Sequence, residues 1–388
     1  MQESMRGIID FLAVTEFSQA ILLIFILLVM EKNRKANIFF AAFLFIVSSN
    51  FFSFYLLKAG LKYPATVFAI LSIPGLSIAG VFIYFYALFV TGLLEKFRKL
   101  HLVHFIPYAV VLAAFSVLLL NTPEFPDRSH NFKRIMSVII STGLVVSISY
   151  IAYTIVLLGR YYKKIENYYS APERASLNWL KRITSLSVLA LTFWCLGFWF
   201  AHLRIIPRSH AGMVINIIIW TVIIFITAYY LINQPEVFRK NIEMEQAVED
   251  GEDSALSGKY ARQSIDDRMQ EQYFEKLSQY MDEHKPFLDE NISIKDLAEE
   301  VDIPPHHLSI VINNRLNKNF YTFINEYRVR EASAILDDPE NAGASIIAVA
   351  FRSGFNSKST FNSVFKKMTG YTPSEYRNRG ALRSELAS

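Results

Sequence analysis

The sequence predicts an all-α protein: a seven-helix transmembrane bundle followed by a soluble domain with two helix-turn-helix units. Three observations predict this fold class. Seven apolar stretches fill the first two-thirds of the chain, a charge-rich segment begins near Gln234, and two short-helix, tight-turn, short-helix patterns lie near the C-terminus. Of the 388 residues, 52% are hydrophobic and 14% aromatic, yet the last third of the chain is polar and charge-rich. This contrast argues against a single soluble domain.

Each apolar stretch is long enough to cross a membrane as a helix. A rise of 1.5 Å per residue carries about 20 residues across a hydrocarbon core of about 30 Å. A signal peptide is the alternative for the first stretch, but its apolar run is long, no small-residue cleavage pattern follows Met30, and six stretches follow. The predicted spans are residues 11–30, 37–57, 64–91, 102–120, 135–158, 183–203 and 211–232.

Basic residues in the loops predict the orientation, because cytoplasmic loops retain Lys and Arg. An odd number of spans then leaves the N-terminus outside and everything after Gln234 in the cytoplasm. Five aromatic rings beside the third inner loop are expected to anchor the bundle at the membrane surface: Tyr161, Tyr162, Tyr168, Tyr169 and Trp179. The basic residues of the inner loops are Lys32, Arg34, Lys35, Lys96, Arg98, Lys99, Arg160, Lys163, Lys164, Arg174, Lys181 and Arg182.

Composition divides the chain into a transmembrane domain at 1–234, a cytoplasmic linker at 235–267 and a C-terminal domain at 268–388. The linker carries an acidic run from Glu243 to Asp253 and then Ser, Gly and Ala, as in a partly helical, flexible connection. Cys195 is the single cysteine, which excludes a disulfide framework and a cysteine-based zinc site.

The first helix-turn-helix pattern follows a helix whose apolar face ends before Pro286. Ser293 is expected to cap its first helix, and Pro305 to begin its second helix at the first position. Core and outward positions then separate at helical spacing. The outward residues are His306, His307, Ser309, Ile310 and Asn313.

The second pattern repeats the first after a long helix at Phe320 to Leu336. Gly354 supplies the permissive backbone of its turn, and Asn356 is expected to cap a helix from Ser357 to Met368. Phe355, Phe361 and Phe365 are its expected core residues. The outward residues are Lys358, Ser359, Thr360, Asn362, Ser363 and Lys366.

The stretch from Ser353 to Arg377, with its Gly-Tyr-Thr-Pro-Ser-Glu-Tyr-Arg end, closely resembles the signature of AraC-type transcription regulators. The pairs Leu297-Ala298 and Leu308-Ser309 and the Tyr327-Arg328-Val329 motif of the linking helix also resemble that family. The seven preceding spans look like its membrane-bound branch, which implies a multi-pass protein of the bacterial inner (cytoplasmic) membrane.

The resemblance implies a partner, double-stranded DNA, whose major groove receives each second helix about one turn apart. Base-facing positions fall on His306, Ser309 and Ile310 in the first unit, and on Lys358, Ser359, Thr360 and Ser363 in the second. Asn313, Asn362 and Lys366 complete the candidate DNA-binding residues. A homodimer is left open.

Two residues depart from the family pattern in the first unit. Pro304 stands where a capping Ser is common, and Ile310 where a polar or basic residue is frequent. Residues 268–302 are acidic, whereas 341–388 carry a basic surplus. The second unit is therefore expected to hold DNA more strongly.

Other chemistry is not indicated by the sequence. His306 and His307 point about 100° apart on a helix and lack a third ligand, so neither a metal nor another cofactor is expected. No catalytic constellation is present, and the protein is not expected to be an enzyme.

Polar groups within or near the spans are candidates for sensing a signal: Glu16, Asn50, His104 and Asn216. His202 is a further polar group near a span. Ordinary interhelical hydrogen bonding is their alternative explanation. Three functions are weighed. The first is a one-component sensor that lies in the lipid bilayer, binds a small molecule at its bundle and alters DNA binding. The second is a regulator whose bundle only anchors it or receives a membrane-protein partner, and the third is a transporter with a regulatory tail. The transporter is disfavoured because no internal repeat of spans is found.

Overall fold

The computed structural model describes residues 2–94, 96–120, 130–171, 177–202, 210–232 and 266–379. Within these ranges the chain is helical apart from turns and one isolated β-bridge, so the predicted all-α class is confirmed. The predicted linker lies outside the described residues except for its last two positions.

Seven helices occupy the positions of the seven predicted spans. Among the described residues, five helical stretches are long and apolar enough to cross a membrane, and the fourth of them, Lys99–Leu118, includes a 3-10 helix. Ile215–Tyr230 is a shorter apolar helix. A 3-10 helix at Lys99–Phe105 precedes the fourth helix. The helices are α1 (Gln2–Val29), α2 (Arg34–Lys58), α3 (Lys62–Val90), α4 (Ile106–Leu120), α5 (His130–Ile165), α6 (Asn178–His202) and α7 (His210–Ile232).

The helices group into two compact units. The bundle unit comprises Met1–Gly159 and Leu177–Phe238, and the C-terminal unit comprises Arg160–Ser176 and Arg239–Ser388. The segment that follows α5 therefore belongs to the C-terminal unit, although it precedes α6 in the sequence.

Close helix packing in the bundle unit depends on small residues. The Gly80 amide of α3 donates to Ser147 Oγ of α5 at 3.0 Å, and a Cβ at Gly80 would clash with the Ser147 backbone. Such small-residue contacts are typical of membrane helix pairs. Trp179 is buried and stacks on Tyr230 with ring centroids 5.8 Å apart.

In the described residues of the C-terminal unit there are six further helices and a last helical segment at 373–379. Two 3-10 helices, Pro286–Leu288 and Pro339–Asn341, lie among them. The helices are α8 (Asp267–His284), α9 (Ile294–Glu300), α10 (Pro305–Leu316), α11 (Phe320–Asp337), α12 (Ile346–Arg352) and α13 (Lys358–Thr369).

The linking helix α11 contributes to two separate hydrophobic cores. Phe320, Phe323 and Ile324 in its first half pack into the core of α8, α9 and α10. Val329, Ala332, Ile335 and Leu336 in its second half pack into the core of α12 and α13. Burial of these side chains on both halves makes α11 the structural connection between the two helix-turn-helix units.

Candidate nucleic-acid interface

The first helix-turn-helix unit is formed by α9 and α10. Ser293 caps α9, since its Oγ accepts from the Asp296 amide at 3.3 Å, as predicted. The turn passes through Asp302 at φ +47°, and the Ile303 amide donates to Ala298 O at 3.0 Å. Pro304 is the N-cap of α10 and supplies no side-chain acceptor, and Pro305 is the first helical residue, so both expectations are confirmed.

The second unit is formed by α12 and α13. Ser345 caps α12, and Gly354 provides the turn at φ +85°. Ser357 caps α13, because its Oγ accepts from the Thr360 amide at 3.2 Å. The prediction that Asn356 caps this helix is therefore wrong, because α13 begins one residue later, at Lys358.

The turn of the second unit is one residue longer than that of the first. Residues 301–304 separate α9 from α10, whereas residues 353–357 separate α12 from α13. The two recognition helices can be aligned at their N-caps, Pro304 and Ser357. Buried Leu308 then corresponds to buried Phe361, and the outward positions of the two helices also correspond. The corresponding outward residues are His306 and Ser359, Ser309 and Asn362, Ile310 and Ser363, and Asn313 and Lys366.

The two recognition helices differ in how far their candidate residues are exposed. On α10, Asn313 is exposed, whereas His306, Ser309 and Ile310 are half-buried. The α13 residues Lys358, Ser359, Ser363 and Lys366 are exposed, and Thr360 and Asn362 are half-buried.

Thr360 is also part of the cap of its own helix. Its hydroxyl accepts from Ser357 Oγ at 2.8 Å, so base contact by Thr360 competes with this hydrogen bond. The sequence placed Thr360 among outward residues without revealing this partner.

Cations of the two units have different surroundings. In the first unit, Arg315 pairs with Glu271, and Lys318 Nζ lies 2.5 Å from Glu326 Oε2. In the described part of the chain, Lys358 and Lys366 form no ion pair. Hydrogen bonds with Thr372 lower the pKa of Glu375, and the charge of Lys366 contributes less to that shift. Positive charge is thus available to phosphates mainly on the second unit.

Helix α8 lies against the first recognition helix, a contact that the sequence did not predict. The Tyr273 ring lies 5.8 Å from the His307 ring, measured between centroids. Burial, followed by the nearby His306, lowers the pKa of His307. No group of three or more metal-ligating side chains is found within the described ranges.

The candidate sensing residues of the bundle unit have unequal partners. His104 lies in the 3-10 helix and its Nδ1 is 2.8 Å from Tyr150 Oη. Glu16 and Asn216 are 0% and 1% exposed, and their carboxylate and amide atoms have no hydrogen-bond partner among the described residues. Asn50 and Asn216 line a cavity of about 20 Å³, and the His202 side chain lies outside the described residues.

Comparison with known proteins concerns a part of the chain. A family model for a helix-turn-helix domain matches residues 297–379. The chain is 28% identical over 97 residues to the melibiose operon regulatory protein of Escherichia coli (strain K12), which covers 25% of this chain and 31% of that protein. It is 30% identical over 103 residues to an uncharacterized HTH-type transcriptional regulator of Staphylococcus aureus (strain COL), covering 26% of this chain and 13% of that protein. No solved structure matches the chain.

The chain therefore spans less than a third of the length of either relative. Residues 297–379 are a helix-turn-helix domain of the AraC type, and this part of the chain is similar to part of each of the two regulators.

Proposed function

We propose that this protein is a membrane-anchored, sequence-specific DNA-binding transcription regulator and that it couples a signal at the bundle to gene expression. One observation carries the proposal. A two-unit helix-turn-helix domain, whose second recognition helix carries lysines with no ion pair among the described residues, shares one chain with five described helices apolar enough to cross a membrane.

The proposed topology has seven spans, an outer N-terminus and a cytoplasmic DNA-binding domain in the bacterial inner membrane. Basic inner loops support it, and DNA is accessible only on the cytoplasmic side. A periplasm-active reporter fused after Arg239 should be silent and a cytoplasm-active reporter bright. The reverse pattern would contradict the topology.

Glu16 is the residue we propose as the centre of signal sensing. The Glu16 carboxylate is buried and has no partner among the described residues, which is costly, so a proton, a cation or a rearrangement of the bundle would relieve it. The cavity beside Asn216 has room for about one water, whereas small-molecule pockets usually measure about 300–1,000 Å³. A small-molecule signal would have to widen this cavity to bind there, whereas a proton needs no added space.

Asp10 on the same helix offers a matched control for Glu16, because it is ion-paired to Lys58 with Oδ2 2.5 Å from Nζ. Glu16→Gln should preserve abundance in the membrane and change the response of a target promoter, whereas Asp10→Asn should change neither. Unchanged expression with Glu16→Gln would remove the sensing role and favour a bundle that only anchors the protein or receives a membrane partner.

A further inference from the structure

The segment after α5 lies along the first helix-turn-helix unit. Tyr169 and Ser293 form an antiparallel β-bridge. The Ser170 amide donates to Ile292 O at 3.3 Å, and the Ile294 amide donates to Tyr168 O at 3.0 Å. We call Glu166–Ser170 the docking segment.

The docking segment also holds the start of the linking helix α11. The Tyr321 amide donates to Glu166 O at 3.0 Å, and Asn319 Nδ2 donates to Glu166 Oε2 at 3.2 Å. Amides in the first turn of a helix have no partner within the helix. Carbonyl groups of the docking segment therefore complete two helix N-termini, that of α9 through Ile294 and that of α11 through Tyr321.

Arg328 joins the docking segment to both helix-turn-helix units. The side chain is 2% exposed, and its Nη2 donates to Ser170 Oγ at 3.1 Å and to Asp289 O at 2.7 Å. Its Nε donates to Phe287 O at 2.8 Å, and its guanidinium lies 5.8 Å from the Phe355 ring centroid.

The turn of the second unit closes on this same junction. A Cβ at Gly354 would clash with Phe287 O and approach Arg328 Nε to 3.1 Å. Contacts this close leave the two helix-turn-helix units little freedom to move relative to each other while the contacts around Arg328 are intact.

Two tyrosines of the docking segment contribute apolar contact. Tyr168 and Tyr169 pack against the core of the first unit. Burial, with smaller contributions from Tyr161 and Asp296, raises the pKa of Tyr169 to about 12, so its hydroxyl stays neutral at physiological pH.

We infer that Glu166–Ser170 is a docking element that controls DNA affinity by holding the two helix-turn-helix units at a fixed separation through Arg328. The inference rests on the proposed function, because the docking segment would transmit a signal from the end of α5 to the DNA-binding domain. Two recognition helices gain from binding together only when their spacing matches the two groove entries, so release of the segment lowers affinity.

Ser170→Pro tests the inference because it removes the amide that bonds to Ile292 O. Tyr169 lies in an extended bridge, which is compatible with a following proline. Ser170→Ala removes only the Oγ acceptor of Arg328. Ala171→Pro is the matched control, since the Ala171 amide makes no backbone hydrogen bond to the described part of the C-terminal unit.

The experiment uses the full chain in lipid nanodiscs, with amide hydrogen exchange and DNA affinity measured on the same samples. Ser170→Pro should speed exchange at Ile294 and Tyr321 and weaken DNA binding by about fivefold or more. Ser170→Ala should have a smaller effect, and Ala171→Pro should match the wild type.

Three results would overturn the inference. The first is fast exchange at Ile294 and Tyr321 in the wild type, which would mean that the segment is not docked. The second is faster exchange in Ser170→Pro with unchanged DNA affinity, which would make the contact passive. The third is an equal loss of affinity with Ala171→Pro. A wild-type protein that binds no DNA would instead refute the proposed function on which the inference rests.

Discussion

The two helix-turn-helix units share a backbone plan and differ in the chemistry of corresponding positions. In both, a serine caps the first helix, and an amide in the turn donates to the carbonyl five residues earlier. The first unit has Asp302 in its turn, Pro304 at its second cap and ion-paired cations. The second has Gly354, Ser357 and two lysines, Lys358 and Lys366, that form no ion pair with another described residue. We interpret the first unit as the one held in place by contacts with α8 and the docking segment. We interpret the second unit as the one that holds DNA.

The largest effect is expected at the two turns. Gly354→Ala adds left-handed strain and a clash with Phe287 O, and it should destabilise the second unit by about 2–4 kcal/mol. Asp302→Gly places the permissive residue at the corresponding turn and should change stability by less than about 0.5 kcal/mol. Hydrogen exchange of α13 and α10 amides measures both changes in stability. Tryptophan fluorescence would not report on the C-terminal domain, because the four tryptophans all precede it. Equal effects of the two substitutions would erase the contrast between the turns.

The next effect concerns DNA contacts. Lys358→Ala should cost roughly 1–3 kcal/mol in operator binding if it reads a base, or lower the salt slope by about one if it contacts a phosphate. Thr360→Ala should also cost more than Ile310→Ala, which removes a half-buried apolar residue of the first unit. Binding of an operator library at several salt concentrations separates these roles. Should Ile310→Ala be the most damaging of the three, the second unit does not dominate.

A smaller effect is expected at the helix caps. Ser357→Ala removes the acceptor of the Thr360 amide and should destabilise α13 by about 1 kcal/mol. Pro304→Ser supplies the missing acceptor to α10 and should stabilise it by a similar amount, since Pro304 already has the extended ψ of 135° that a cap requires. We expect the urea midpoint of unfolding to fall with Ser357→Ala and to rise with Pro304→Ser. Loss of stability with Pro304→Ser would show that the proline itself supports the turn.

The smallest effect is a pH dependence confined to the first unit. The pKa of His307 is lowered in the folded protein, so the unfolded chain takes up a proton first as the pH falls. Stability should therefore decline as the pH falls through the ordinary histidine range near pH 6.5. Residues 341–388 contain no histidine. Exchange in α10, corrected for intrinsic rate, should rise between pH 7.5 and 5.5, and His307→Gln should abolish that rise.

Much of this fold follows from local sequence rules. The positions of the bundle helices follow from long apolar runs. The helix-turn-helix cores follow from Leu308, Val311, Phe361 and Phe365 at helical spacing, all of which are buried. The cap of α13 was assigned one residue too early, because Asn356 and Ser357 are both good capping residues and only the longer turn distinguishes them.

Long-range contacts could not be predicted in the same way. Tyr168 and Tyr169 fit the pattern of interfacial rings, but tertiary packing places them against the first core. Arg328 was visible as part of a motif, yet its hydrogen bond to Ser170, 158 positions away, depends on the folded chain. No spacing rule links α8 to α10 either, although complementary charge between Glu271 and Arg315 is a signal in hindsight.

The measurement that tests the central claim most directly is selection from a random DNA library by the full chain in lipid nanodiscs. The account predicts enrichment of a bipartite sequence whose two parts lie about one helical turn, or 10 bp, apart. It further predicts that Lys358→Ala relaxes or weakens only the part bound by the second unit. Selection of no sequence by a correctly inserted protein, or a motif with one part that Lys358→Ala leaves unchanged, would contradict a membrane-anchored regulator that reads DNA with two units.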